Sequence, residues 1–268
     1  MREKEQRRLQ RDRSDMLDTA FVLARMTRLV SRVQALARQP NVEVTVLDVL
    51  RRSGHALPLL MVTVGAGRKR TVLISAGLHG DESAGVDAAV ACISRFASDD
   101  CALGALVLPC INPYGFCAGI RSNDIGYDLN RTFGQDPAPI EIALVREALG
   151  GRHFAFTLDL HEDEDADGFY VYEHTRAGRE LGPAMVARVR AAGYPIHSGA
   201  AVEGYVMNDG CVVPKEERTS EIVGFFSVYL FDYHTDHSLT TETPTRLPQR
   251  SRAAMQELAV DEAIDRFA

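Results

Sequence analysis

The chain has 268 residues, 46% of them hydrophobic and 25% charged, which is enough to bury a sizeable core in one large domain or two small ones. Its net charge of -7 gives no general reason to expect nucleic-acid binding, and no stretch approaches the roughly 20 apolar residues of a membrane span. Five cysteines without a CxxC spacing read as reduced thiols in the core, and the charged N-terminus lacks a signal-type apolar segment, so the expectation is a cytoplasmic protein.

Residues 1–38 read as helix, charged all round at first and then apolar at near-helical spacing through Leu17, Phe21, Ala24, Leu29, Val33 and Leu36. Residues 1–40 carry ten Lys/Arg against five Asp/Glu, leaving -12 on the rest. They are expected to form an N-terminal helical extension to a single domain spanning 41–268. A dimer contact or a nucleic-acid arm is the weaker reading, because the basic residues are mixed with acids. Val42–Leu50 and Leu57–Val64 read as an edge hairpin, and Thr71–Ser75 and Ala105–Leu108 as buried strands. A helix opens at Asp81/Glu82 and runs to about Phe96. Asn112-Pro-Tyr-Gly115 follows the Ala105–Leu108 strand. Pro139–Leu149 and Arg179–Ala192 read as helices, Phe154–Leu160 and Phe169–Tyr172 as strands. Phe225–Asp232 and Leu239–Glu242 are strand-like, and Pro248–Phe267 is a closing helix. This alternation predicts an α/β three-layer sandwich with a mixed, largely parallel central sheet, whose chemistry gathers at the carboxyl ends of strands.

Four segments carry that chemistry. His79-Gly-Asp-Glu82 lies where a strand ends and a helix begins, which lets a His and a residue three positions on turn toward one point. His161 follows the alternating Thr157-Leu-Asp159-Leu160. Two imidazoles and one carboxylate form a three-ligand zinc set that leaves a position open for water, the pattern of a catalytic site. Asp159 is a candidate outer acid for His161. Arg121 and the pair Asn130-Arg131, in Asp128-Leu-Asn-Arg, supply donors suited to an anionic substrate. Glu242, in Thr-Thr-Glu-Thr-Pro, sits at a strand end where a carboxylate can serve as a general base. Each segment alone is weak: HxxE is frequent by chance, and lone Arg or Glu residues are ordinarily solvated. Five acids between Glu162 and Asp167 read first as a solvated loop, and otherwise as a receptor for a basic substrate group.

In this order the motifs resemble the zinc carboxypeptidase family and its relatives, the succinylglutamate desuccinylases and aspartoacylases, over about Pro58 to Pro244. The His₂Glu set is the one cited for carboxypeptidase A. The resemblance implies the zinc carboxypeptidase-like (phosphorylase/hydrolase-like) fold. It also implies one zinc per chain on His79, Glu82 and His161, and a carbonyl-polarising Arg121. Asn130 and Arg131 would hold the substrate carboxylate, and Glu242 would be the base. The expected activity is hydrolysis of an amide bond beside a free carboxylate, foremost by a metallocarboxypeptidase acting on peptides. An N-acyl amino acid deacylase or a cell-wall peptide amidase is the alternative, and an inactive binding module the bland one. Only 26 residues follow Glu242, and they look helical, which favours the peptidase over deacylases with an added C-terminal β domain. The chain departs from the family in lacking a clear mobile Tyr within Asn208–Val223; Tyr205 is poorly placed for it. No oligomeric state follows.

Overall fold

A computed structural model describes residues 19–52, 54–176, 178, 180–202, 204–213 and 224–267. The charged start expected to be helical therefore lies largely outside the described residues, as does most of the segment searched for a mobile Tyr.

Ten strands form one sheet in the order β1-β2-β4-β3-β5-β10-β6-β9-β8-β7. They are β1 Val42–Arg52, β2 His55–Val64, β3 Arg70–Ala76, β4 Leu103–Leu108, β5 Thr157–Asp163, β6 Tyr170–Thr175, β7 Ala201–Val202, β8 Tyr205–Asn208, β9 Cys211–Val212 and β10 His237–Pro244. The central run β4-β3-β5-β10 is parallel. β1 and β2 form the expected antiparallel edge hairpin, and β6 returns antiparallel to β10. The helices are α1 Thr19–Leu36, α2 Ser83–Ala97, α3 Pro113–Ala118, α4 Ile140–Leu149, α5 Gly182–Ala191, α6 Phe226–Tyr233 and α7 Gln249–Phe267.

Strand alternation divides the core in two. On β3, Val72, Ile74 and Ala76 face a cluster completed by α1, α2, α5 and α7, while Leu73 faces the cluster of α4 and α6. Burial on both faces explains why the parallel strands read as nearly continuous apolar runs. The sheet is thus the middle layer of a sandwich. α1 lies in the first cluster, burying Met26, Leu29 and Val33 and setting Arg25 over the Phe116 ring at 4.4 Å.

One element differs from the sequence reading, and a short helix is added to it. Residues 225–232, read as a strand, form helix α6. Their aromatic and β-branched content favours extended chain, but tertiary packing wins: Phe226 and Leu230, one helical turn apart, both enter the α4 cluster, and Phe226 stacks on Phe133 at 4.2 Å. The segment Asn112–Gly115, to which the sequence reading gave no element, opens α3. Its signals are local: the Asn112 side chain accepts the Gly115 N–H at 2.9 Å, Pro113 occupies the first turn, and left-handed Gly119 ends the helix.

Glycine sets how closely α2 approaches the sheet. A Cβ at Gly85 would lie 2.6 Å from the Leu160 carbonyl oxygen of β5. Gly85→Ala should therefore push α2 from β5 and lower stability by about 1–3 kcal/mol, as overpacking does. The measurement is the urea midpoint at constant m-value; an unchanged midpoint would show that the helix has room to move.

Candidate active site

The chain brings the predicted ligands to one point at the carboxyl ends of β3 and β5. After β3, Gly77 takes positive φ and turns the chain so that His79 faces the end of β5. Gly80 then passes so close to α3 that a Cβ would lie 1.9 Å from the Gly115 carbonyl carbon. The ligand atoms of His79, Glu82 and His161 lie within 4.8 Å of one another, and all three residues are buried. Glu82 Oε1 is 2.5 Å from His79 Nδ1, Oε2 is 2.8 Å from His161 Nδ1, and the two Nδ1 atoms are 3.2 Å apart.

Glu82 occupies the N-cap position of α2 without capping it. The role passes to Glu162, whose side-chain Oε1 accepts the Ala84 N–H at 2.7 Å, while its backbone N–H donates to Glu82 Oε2 at 3.1 Å. Arg252 of α7 pairs with the same Glu162 carboxylate. The acid that satisfies the helix start is thus a different one, and Glu82 is left to face the imidazoles.

Both outer histidine nitrogens are held by carboxylates. His161 Nε2 is 2.7 Å from Asp159 Oδ2, and the other Asp159 oxygen accepts the Ser75 hydroxyl at 2.6 Å. His79 Nε2 is 3.2 Å from Asp128 Oδ1. Such partners take the Nε2–H of each ring, so Nδ1 is the atom left facing Glu82 and the one a metal would meet once it gives up its own proton. Burial alone would raise the Glu82 carboxyl, but the His79 and His161 imidazoles outweigh it and hold it at about 2. Burial would lower His161, but Asp159 and Glu82 outweigh it and raise it. Asp128 is held below the usual carboxylate range against its own burial, by His79 and then Arg121.

These residues fit a divalent metal ion. Two inward nitrogens and one ionised carboxylate form the donor set of a three-ligand zinc site. Imidazole nitrogens 2.0–2.1 Å from a tetrahedral centre stand about 3.3 Å apart, close to the separation seen here.

The remaining predicted residues line the same cleft, a cavity of about 1420 Å³. Glu242 of β10 lies in parallel register beside His161, so both side chains leave the same face of the sheet, and Tyr170 of β6 is its partner on the other side. Arg121 reaches Asp128 at 3.1 Å and Glu82 Oε1 at 3.6 Å. Asn130 and Arg131 form a single 3-10 turn after Asp128, whose side chain accepts the Asn130 N–H at 3.0 Å.

Asp128 has no role of its own in the sequence reading, yet it joins His79, Arg121 and the Asn-Arg turn; its place two residues before Asn130 was the available signal. The acidic run is not one solvated loop either. Glu162 is buried, Asp163 accepts the Tyr170 hydroxyl at 2.8 Å, and Asp167 accepts the Ser198 N–H at 2.8 Å. Glu164 and Asp165 remain exposed on the cleft wall.

A largely parallel sheet carries a His-Glu-His cluster at its strand ends, and together with the family match this makes the chain a hydrolase of the metallocarboxypeptidase-like superfamily. Residues 68–203 match the succinylglutamate desuccinylase/aspartoacylase catalytic domain, and the chain belongs to that family. Murein peptide amidase A of Escherichia coli (strain K12) is 38% identical over 82 residues, which is 31% of this chain and 33% of that protein. The match thus spans about a third of the curated relative's length. Among solved structures, a Shewanella amazonensis SB2B protein described as a metallopeptidase superposes with a TM-score of 0.74 at 22% identity, covering 90% of this chain and 93% of its own. A metallo-carboxypeptidase from Burkholderia cenocepacia gives 0.67 at 21% identity, covering 90% of this chain and 69% of its own. Likeness at this identity establishes the fold. No helix among the described residues is long and apolar enough to cross a membrane.

Removing the outer acid and removing the ligand should separate in a metal-affinity measurement. His161→Ala should abolish stoichiometric metal binding. Asp159→Asn should weaken it by about 10–100-fold, the usual effect of losing a partner of a ligating histidine. Chelator competition reads both, and wild-type affinity in His161→Ala would remove that residue from the ligand set.

Proposed function

We propose that this protein is a zinc-dependent hydrolase that cleaves an amide bond beside a free carboxylate in short peptides. The observation that carries the reading is the convergence on one cleft of a buried His₂Glu cluster, an adjacent carboxylate and two arginines from sequence-distant segments. His79, Glu82 and His161 hold one zinc ion per chain. When bound, the ion supplies a Lewis acid that polarises a carbonyl and acidifies water.

The protein's own groups do the rest. Glu242, beside His161, takes the proton of the attacking water and returns it to the leaving amine. Arg121 faces the oxygen on which charge develops, and its bond to Asp128 fixes its direction. Asn130 is oriented by the Phe226 N–H, which its Oδ1 accepts at 2.9 Å; its amide N–H₂ is thereby left as the donor end. Arg131 offers its fork to the substrate carboxylate.

Cleft size supports a peptide over a single N-acyl amino acid, since about 1420 Å³ exceeds the roughly 300–1,000 Å³ typical of small-molecule pockets. The family match keeps N-acyl amino acid deacylation as the competing reaction. A cell-wall peptide amidase is a third reading, favoured by the local similarity to murein peptide amidase A. Exposed Glu164 and Asp165 on the wall suit an amine on the substrate in that case.

Metal analysis of the purified protein, then a panel of peptides and N-acyl amino acids, tests the assignment. Glu242→Gln preserves shape and removes the base; it should keep metal and fold while losing about 10²–10⁴-fold in kcat. Near-normal turnover would place the base elsewhere. For the acidic wall, substrates with a terminal Lys should exceed those with Leu or Glu in kcat/KM, and the margin should shrink with salt, because exposed charges are screened over about 8 Å at physiological ionic strength. A preference for Leu or Glu that ignores salt would leave Glu164 and Asp165 no part in selection.

A further inference from the structure

The entry into α6 makes contacts that the proposed reaction does not require of a simple connection. Three successive residues, Gly224-Phe225-Phe226, each meet the Asn130–Arg131 turn or its immediate neighbour. Gly224 lies against the Arg131 backbone so closely that a Cβ would stand 2.5 Å from the Arg131 carbonyl oxygen, and its own carbonyl accepts the Phe133 N–H at 3.1 Å. The Phe225 ring lies under the Arg131 guanidinium, with Cζ 4.1 Å from the ring centre. Phe226 donates its N–H to Asn130 Oδ1 and anchors its ring on Phe133 at 4.2 Å and an interplanar angle of 17°.

We infer that Gly224-Phe225-Phe226 is a positioning element that sets the selectivity of this enzyme for a free substrate carboxylate, with Phe225 as its specificity-determining residue. The inference rests on the proposal that Asn130 and Arg131 bind that carboxylate. Arg131 is exposed, and Asp128 acts on it electrostatically. An unrestrained arginine loses considerable rotamer entropy on binding. Two contacts restrain this one: its NH1 donates to the Asn130 carbonyl at 3.1 Å, and the aromatic face fixes the plane of its fork. Phe226 fixes which end of the Asn130 amide is presented. The tripeptide therefore orders both donors before substrate arrives, and preorganised donors raise affinity by lowering the entropy lost on binding. Phe225 is not itself a catalytic residue; it acts through Arg131.

The experiment measures KM and kcat on matched peptides with a free or an amidated C-terminus, in wild type, Phe225→Leu, Phe225→Tyr, Arg131→Ala and Phe225→Leu/Arg131→Ala. Phe225→Leu keeps apolar bulk and removes the aromatic face. It should raise KM for the free acid by about three- to tenfold, the scale of a cation–π contact, with kcat and the amidated substrate little changed. Phe225→Tyr, which retains the face, should behave as wild type. In the Arg131→Ala background, Phe225→Leu should add nothing. A wild-type KM in Phe225→Leu, while Arg131→Ala abolishes selectivity, would overturn this inference and leave the carboxylate reading intact. Unchanged selectivity in Arg131→Ala would overturn the carboxylate reading itself. An additive double variant would show that Phe225 acts on substrate without Arg131. Gly224→Ala should reproduce the KM effect through backbone displacement, and circular dichroism of every variant separates loss of fold from loss of positioning.

Discussion

The site depends on one buried carboxylate that must stay ionised. Glu82 is 5% exposed, and an isolated charge there would be strongly disfavoured. Two imidazoles, a backbone N–H and a more distant guanidinium hold it. Much of the local architecture follows. The imidazoles need partners at Nε2 if Nδ1 is to face Glu82, and Asp128 and Asp159 supply them. Glu82 cannot face the imidazoles and also satisfy the start of α2, so Glu162 does the second. Glu162 in turn is a buried anion and is matched by Arg252. Each charge placed near the cluster calls for the next, and on the cleft side the series ends at exposed Arg121.

The His-Glu-His cluster was legible because both halves of it sit at transitions in pattern. His79 and Glu82 bracket the change from a buried strand to a helix, and His161 ends an alternating strand. The sheet was legible for a related reason: strands buried on both faces are apolar runs whatever their neighbours do. What escaped the sequence is what depends on distant partners. The helical state of α6 is decided by Phe133, about ninety residues earlier in the chain, and not by the residues of α6. Glu162 is one acid in a run of five, and only the approach of α2 and α7 separates it from its exposed neighbours. Asp128 looks like part of a substrate motif until the turn carries it under His79. Where a residue's role is set by local geometry it can be read in order along the chain; where it is set by a second element it cannot.

The same division explains the composition of one sheet face. On β5, Leu158 and Leu160 enter the core beneath α2 and α7, while Thr157, Asp159 and His161 point the other way. In register with them stand Ser75 on β3 and Ser238, Thr240 and Glu242 on β10. This polar stripe would be costly in a core unless satisfied, and its inner members are: Ser75 donates to Asp159, Thr157 to Ser238, and Ser238 to the Ser227 carbonyl of α6. The stripe roots the site several residues deep in the sheet, so that His161 and Glu242 are the last members of two rows whose earlier members fix their direction.

Helix α6 closes that stripe. It covers the polar face with Ser227 at one point and reaches the α4 core with Phe226 and Leu230 at others. An extended segment at this position, as the residue types suggest, would not bring Phe226 and Leu230 to the same side to enter the α4 cluster. A helix instead lays apolar side chains across the stripe and brings its first residues to Asn130 and Arg131. The element that excludes water from the rows behind His161 and Glu242 is therefore the one that touches the cationic end of the cleft. The cover over the cluster and the placement of Asn130 and Arg131 both follow from a single packing event, the docking of Phe226 against Phe133.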